Sequence, residues 1–253
     1  MILVFGGTSD SLEICDYLEE HSFPFIVSVT AEYDGALAEK HAAHVIRKQM
    51  DSDGMVAYMK AFHIRLVIDA SYFFEAEVSL SAIAACEELN IDYVRFEREN
   101  TGSCSPLLHV VDDMDAACRE ADALGMRIFL TTGSKDLADY LKRLPDKHVI
   151  ARVLPVAEVI HHCERLGLIA DQIVAMKGPF STELNKAIFR ATEADAVITK
   201  EAGHNGGFKE KVEACLELGI PCIVIRRPKL DYPHKVSTIQ ELAAYLYHHM
   251  SDS

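Results

Sequence analysis

The chain has 253 residues, 49% of them hydrophobic and 25% charged, with 25 Lys+Arg against 39 Asp+Glu for a net charge of −14. A chain this apolar folds instead of staying disordered, and it has no run near the roughly 20 apolar residues that cross a bilayer. Its acidic balance argues against nucleic acid, whose phosphates call for concentrated Lys and Arg.

The periodicity alternates short apolar strands with helices. Met1–Phe5 is a strand and not a basic leader, so the chain is expected in the cytoplasm. A helix follows from about Asp10 to His21, with Asp10 and Glu13 placed for a capping box. Pro24–Val29 is the next strand, Gly35–Ala43 a helix, His44–Arg47 a short strand and Ser52–Phe62 a helix. Leu66–Asp69 is a buried-type strand ending on a carboxylate, Glu75–Leu89 a long helix and Asp92–Phe96 a strand. The polar, aperiodic run Glu97–Pro106 marks a junction. Beyond it, Leu108–Val111 is a strand and Asp113–Leu124 a helix. Further strands are expected at Arg127–Leu130, His148–Arg152, Gln172–Ala175, Ala196–Thr199 and Pro221–Ile225, and a last helix at about Ser237–His249. The fold class is α/β, with two Rossmann-like lobes of mostly parallel sheet. The expected division is a first domain over 1–98, a linker over 99–106 and a second domain over 107–253.

Seven cysteines form no C-x-x-C pair and twelve histidines no trusted ligand spacing, so reduced thiols are expected and no metal site. Residues 1–125 carry 8 basic and 23 acidic side chains, a net of −15, whereas 126–253 carry 17 and 16, a net of +1. Either surface charge has drifted, or the second half is the better place for an anionic ligand.

Doubly wound sheets bind ligands beyond the C-terminal ends of their strands, so the loops there are the candidates. Gly6-Gly7-Thr8-Ser9 after the first strand allows close backbone approach and offers N–H groups at a helix start, which suits a dinucleotide phosphate. It lacks the full G-x-G-x-x-G fingerprint, and a purely steric Gly-Gly turn is the other reading. After the second strand, Thr30 and Glu32 occupy the place that meets an adenine ribose. An acidic group there, with no basic residue before Lys40, favours NADH over NADPH unless Glu32 is only a solvated carboxylate. Asp69 either orients a ligand or serves as an anion ahead of the helix at Glu75.

Three loops of the second half each set a lysine beside glycine and hydroxyl groups at a helix start. They are Thr131-Thr132-Gly133-Ser134-Lys135, with Ser134 as N-cap, Lys177-Gly178-Pro179-Phe180-Ser181, with Ser181 as N-cap, and Thr199-Lys200-Glu201 running on to Gly206-Gly207. With Arg152 and Arg226-Arg227 after other strands, they would line one edge with cations for a polyanion. There is no G-x-S-x-G elbow and no G-x-x-x-x-G-K-[ST] loop, which weakens hydrolase and nucleotide-hydrolysing readings.

Taken in order, these segments resemble the precorrin-6A reductase family of cobalamin biosynthesis. The resemblance rests on Leu3–Ser9, Val67–Ser71, Tyr93–Arg98, Thr131–Lys135, Arg152–Pro155, Lys177–Ser181, Thr199–Gly203, Gly219–Pro221 and Arg226–Pro228. It implies an active site in the cleft between two lobes, and reduction of one macrocycle double bond by a nicotinamide nucleotide. NADH with a cobalt-bearing substrate is favoured, and NADPH with metal-free precorrin-6A is the other branch. The substrate would be a polycarboxylate tetrapyrrole, met by Asp69, Ser71, Arg95, Arg152, Lys177, Gly178, Ser181, Lys200, Glu201, Gly206 and Arg226. The cofactor would meet Gly6, Gly7, Thr8, Ser9, Thr30, Glu32, Thr132, Gly133, Ser134 and Lys135. Where the family usually carries His-Pro, this chain has Tyr72-Phe73. Ring protonation then falls to Tyr72, Lys200 or water. Two other readings compete: a cofactor-free, two-lobed tetrapyrrole enzyme similar to uroporphyrinogen-III synthase, and a non-catalytic NAD-sensing regulator.

Overall fold

Two six-stranded sheets, parallel throughout, organise the chain in the computed structural model, which describes residues 1–30, 32–48, 50–98, 105–201 and 207–250. The side chains of Glu32, Tyr33 and Met250 lie outside that set. In chain order the first elements are β1 (Ile2–Phe5), α1 (Ser9–Glu20), β2 (Phe25–Val29), α2 (Glu32–Ala38), β3 (Val45–Arg47), α3 (Ser52–Ala61), β4 (Leu66–Asp69), α4 (Ala76–Leu89) and β5 (Asp92–Phe96). Next come β6 (Leu108–Val111), α5 (Met114–Leu124), β7 (Arg127–Leu130), α6 (Leu137–Arg143), β8 (His148–Val153), α7 (Ala157–Arg165) and β9 (Ile173–Ala175). The chain ends with α8 (Thr182–Ala191), β10 (Ala196–Lys200), α9 (Phe208–Leu218), β11 (Cys222–Ile225), β12 (Lys235–Val236) and α10 (Ile239–Met250).

The chain divides into two units, Met1–Glu99 with Pro228–Ser253, and Asn100–Arg227. In unit 1 the strand order is β12-β5-β4-β1-β2-β3. Its strands are apolar on both faces because helices cover both. Ile2 and Val4 of β1 meet Ile14 and Leu18 of α1 and Leu242 and Leu246 of α10 in one cluster. Leu3 and Phe5 meet Met55 and Met59 of α3 and Ala82 and Ala85 of α4 in the other. Full burial contributes about 1.5–3 kcal/mol for each large side chain.

In unit 2 the order is β6-β11-β10-β7-β8-β9. Each unit thus has its chain reversal between two central strands, β1 and β4 in one, β7 and β10 in the other. The outer position beside β5 is filled by β12, the last strand of the chain, and the matching position beside β11 by β6, the first strand of its unit.

Three sequence expectations are corrected. The tail does not belong with 107–253: β12 pairs with β5, matching Lys235 to Arg95 and Val236 to Phe96, and α10 buries Leu242 and Leu246 in unit 1. A two-residue strand gives no periodic signal, and it forms here because the edge of β5 offers unpaired backbone groups. The cap of α1 is Thr8 with Ser11, whose amide donates to Thr8 Oγ1 at 3.1 Å, not Asp10 with Glu13. Asp10 and Glu13 both take hydrogen bonds from Arg98. Ser134 is not an N-cap either, since the chain makes a further turn and α6 starts at Leu137.

No helix among the described residues is long and apolar enough to cross a membrane.

Candidate functional site

At the reversal point of unit 1, the turn after β1 meets the turn after β4. Gly7 has φ +104°, a conformation that favours glycine, and only the Asp34 carboxylate lies within 4 Å of where a Cβ would stand. Gly6 is tighter, because a Cβ would come within 3.1 Å of Val27. The Gly6 amide donates to Ser28 O of β2 at 2.8 Å, and Thr8 Oγ1 donates to Ala70 O at 2.7 Å, the latter tying the two turns together. Gly7 and Ser9 are exposed and Thr30 borders a small hollow with Gly6, Lys48, Ser71 and Glu75. Burial, and then the nearby Glu75 carboxylate, raise the pKa of Asp34. This glycine turn therefore faces negative charge. The Glu32 side chain falls outside the described residues.

Asp69 and Arg95 are register neighbours on β4 and β5, both with 0% exposure, and they pair at 2.8 Å. Asp69 also accepts from the Ser71 hydroxyl, the Ser79 hydroxyl and the Tyr93 hydroxyl, each at 2.6 Å. Burial alone would raise its pKa, but the Arg95 charge and these three donors outweigh it and hold the carboxyl below its usual value. The Arg95 guanidinium packs over Phe73 and Tyr232, with ring centroids at 5.0 and 5.3 Å. Asp69 and Arg95, both expected among the substrate contacts, are thus held inside a sealed network with no exposed surface. Ser71, 3% exposed, is bound into the same network. Tyr72, in the turn beyond Ser71, is half-buried with its ring 5.6 Å from that of Phe74.

At the reversal point of unit 2, Lys200 at the end of β10 pairs with Asp136 of the loop after β7, at 2.7 Å. Beside them opens a pocket of about 320 Å³, lined by Thr131, Gly133, Arg152, Phe180, Gly207 and Lys211 among others. Gly133 has φ +80° and nothing within 4 Å of a Cβ position. Thr132 Oγ1 is buried with no hydrogen-bond partner among the described residues. Arg152 is 7% exposed; its Nη1 donates to Asn185 Oδ1 at 2.7 Å and its guanidinium lies 4.4 Å from the centroid of Phe180. Burial lowers its pKa to about 10. Lys211, in the first turn of α9, is 8% exposed and is lowered to about 8 by burial and by the Arg152 charge.

The lysine that reaches this pocket is thus not one of those read from the loops. Lys135 and Lys177 are exposed, and Lys200 is held by Asp136. Gly178 lines the pocket, and Ser181 caps α8 by accepting from the Leu184 amide. Glu201 accepts from the Arg227 amide at 3.0 Å, and the exposed Arg226 pairs with Asp112. Ser134 O accepts from the Leu137 amide, and Gly206 lies outside the described residues. Lys211 was legible in principle: it lies three residues after Phe208 and four before Cys215, on the apolar stripe of its helix.

Residues 1–247 match the family model described as precorrin-6x reductase CbiJ/CobK. A cobalt-precorrin-6A reductase of Salmonella typhimurium is 42% identical over 229 residues, covering 90% of this chain and 87% of that protein. One of Methanocaldococcus jannaschii is 40% identical over 247 residues, 97% of each chain. Among solved structures, a CobK precorrin-6A reductase superposes with a TM-score of 0.81 at 26% identity, covering 98% of this chain and 97% of that one. The two parallel sheets, their glycine turns and this end-to-end match together place the chain in the precorrin-6x reductase CbiJ/CobK family.

Proposed function

We propose that this protein reduces one ring double bond of precorrin-6A in its cobalt-bearing form, during corrin-ring synthesis, with NADH as the favoured donor. The observation that carries this reading is its near full-length identity of 42% and 40% to proteins named cobalt-precorrin-6A reductase. Two relatives named precorrin-6A reductase are 26% and 28% identical, over 98% and 76% of the chain. The cofactor-free synthase and the NAD-sensing regulator have no comparable observation in their favour.

The residues fit a nicotinamide nucleotide. Gly7 leaves an exposed turn at the start of α1 with no side chain of its own and the Asp34 carboxylate to one side, so Gly6, Gly7 and Ser9 would take a pyrophosphate through their N–H groups. Asp34 stands at the same turn, where a carboxylate would accept from a free ribose hydroxyl and repel a 2′-phosphate; this supports NADH. When bound, the nicotinamide supplies a hydride to one ring atom. A proton must reach the other atom of the reduced bond. Lys200 is held at one reversal point by Asp136, and Tyr72 stands half-exposed near the other. These are the two side chains offered for that step, with water as the remaining source.

The test is anaerobic incubation with cobalt-precorrin-6A and either nucleotide. The expected result is macrocycle-dependent oxidation of one NADH per ring, and NADH binding tighter than NADPH by fluorescence titration. No oxidation in protein that binds the macrocycle overturns the reaction; tighter NADPH binding overturns the role of Asp34. If Lys200 donates the proton, Lys200→Ala lowers kcat by about 10²–10⁴-fold, and a wild-type rate returns Lys200 to a structural role.

A further inference from the structure

Five charged side chains are buried among the described residues: Asp10, Asp69, Arg95, Arg152 and Lys211. Asp10 is paired with Arg98 and Asp69 with Arg95. Arg152 and Lys211 differ. Neither has a carboxylate within ion-pair distance among the described residues, and Lys211 Nζ has no hydrogen-bond partner there. Both line the same pocket of about 320 Å³, whose lining among the described residues contains no Asp or Glu. Two buried cations that repel each other are unfavourable as they stand, and the natural countercharge is an anion entering that pocket.

The wall supplies the second half of the argument. Val153, Leu154, Met176 and Pro179 are apolar, and Phe180 stacks against the guanidinium. Arg152 is also held in place, since Asn185 accepts from it while donating to Ser181 O at 3.0 Å. One fixed planar cation, one lysine on a helix start and apolar sides suit a carboxylate carried on an apolar body. We infer that Arg152 and Lys211 form an anion receptor in unit 2, and that Lys211 is the residue that sets its affinity for an acid side chain of the macrocycle. The site itself stands on geometry; only the identity of its ligand rests on the function proposed above.

A phosphate of the nucleotide shares the chemistry, so the experiment needs three probes: uroporphyrin I as a carboxylated tetrapyrrole, inorganic pyrophosphate, and NADH. Each is titrated into wild-type, Lys211→Met and Lys211→Arg protein, with folding verified by circular dichroism. The expected result is that Lys211→Met weakens uroporphyrin binding at least about tenfold, the worth of one charge-assisted hydrogen bond. Lys211→Arg restores most of it, and NADH affinity is unchanged. Loss of pyrophosphate and NADH binding, with uroporphyrin unaffected, keeps the receptor and overturns its assignment to the macrocycle. Equal binding of every probe by wild type and Lys211→Met, or no binding of any probe by the wild type, overturns the receptor. A failed reductase assay alongside Lys211-dependent uroporphyrin binding would sink the proposed reaction and leave the site standing.

Discussion

The two units bury cations in opposite ways. In unit 1 the guanidinium of Arg95 is sealed against Asp69, Ser71 and two aromatic rings. In unit 2 Arg152 has one neutral amide partner, Lys211 has none among the described residues, and both open onto a pocket. The overall charge follows the same division. Unit 1 carries 9 basic and 21 acidic residues, a net of −12, and unit 2 carries 16 and 18, a net of −2. A buried charge with its counterion inside the fold serves stability and has no affinity left for a ligand. One without a counterion weakens the fold and keeps its field for whatever binds.

That contrast breaks most visibly at Asp69. Asp69→Ala leaves Arg95 buried without its counterion and should cost about 3–5 kcal/mol in chemical denaturation. A loss below about 1 kcal/mol would mean that the network is not what holds β4 to β5. The pH dependence has a definite sign. The folded-state pKa of Asp69 is depressed, so its contribution is present above the unfolded value of roughly 4 and is lost as pH falls below it. An acid titration of wild type should show this loss, and Asp69→Asn should flatten it.

Lys211→Met should move stability the other way, raising it by about 1–2 kcal/mol, because an unpaired buried cation is replaced by an apolar side chain of similar length. The groups acting on Lys211 are Arg152 of β8, Glu210 and Cys215 of its own helix, and Cys222 of β11. With a folded pKa of about 8 against 10.5 in the ordinary state, the unfolded chain holds more proton between those values. Wild-type stability should therefore gain from this group as pH rises through that window, and the gain should vanish in Lys211→Met. Over the same rise the free pocket loses charge and anion affinity should fall. Destabilisation by Lys211→Met would return the lysine to a structural role.

The smallest expected effect is at the glycine turn after β1, where the nucleotide is proposed to bind. Thr8→Ala removes the hydroxyl that caps α1 and bridges to Ala70 O, and should cost about 1 kcal/mol. A thermal melt measures it, and an unchanged Tm would show that Ser11 alone suffices.

Much of this comparison is visible along the chain. The glycine turn after β1 and the Ser181 cap follow from local rules, and strand-by-strand the βα rhythm sets both sheets. The sequence also marks Asp69, Arg95 and Arg152 as polar residues on apolar strands. It does not say which face inward. Asp69 and Arg95 sit at matching register on neighbouring strands and neutralise each other, a fact of strand order that no local window contains. Asp136 claims Lys200 across 64 residues in the same way.

The amino-acid sequence by itself determined the secondary elements other than β12, the α/β class and the family, because these depend on short-range periodicity and on ordered motifs. Tertiary structure alone decided that β12 and α10 return to unit 1, since a two-residue strand is defined only by the edge it joins. It also decided which cations are spent on internal carboxylates and which remain for a ligand, because charge pairing depends on through-space distance and burial, and neither is a property of a residue's place in the chain.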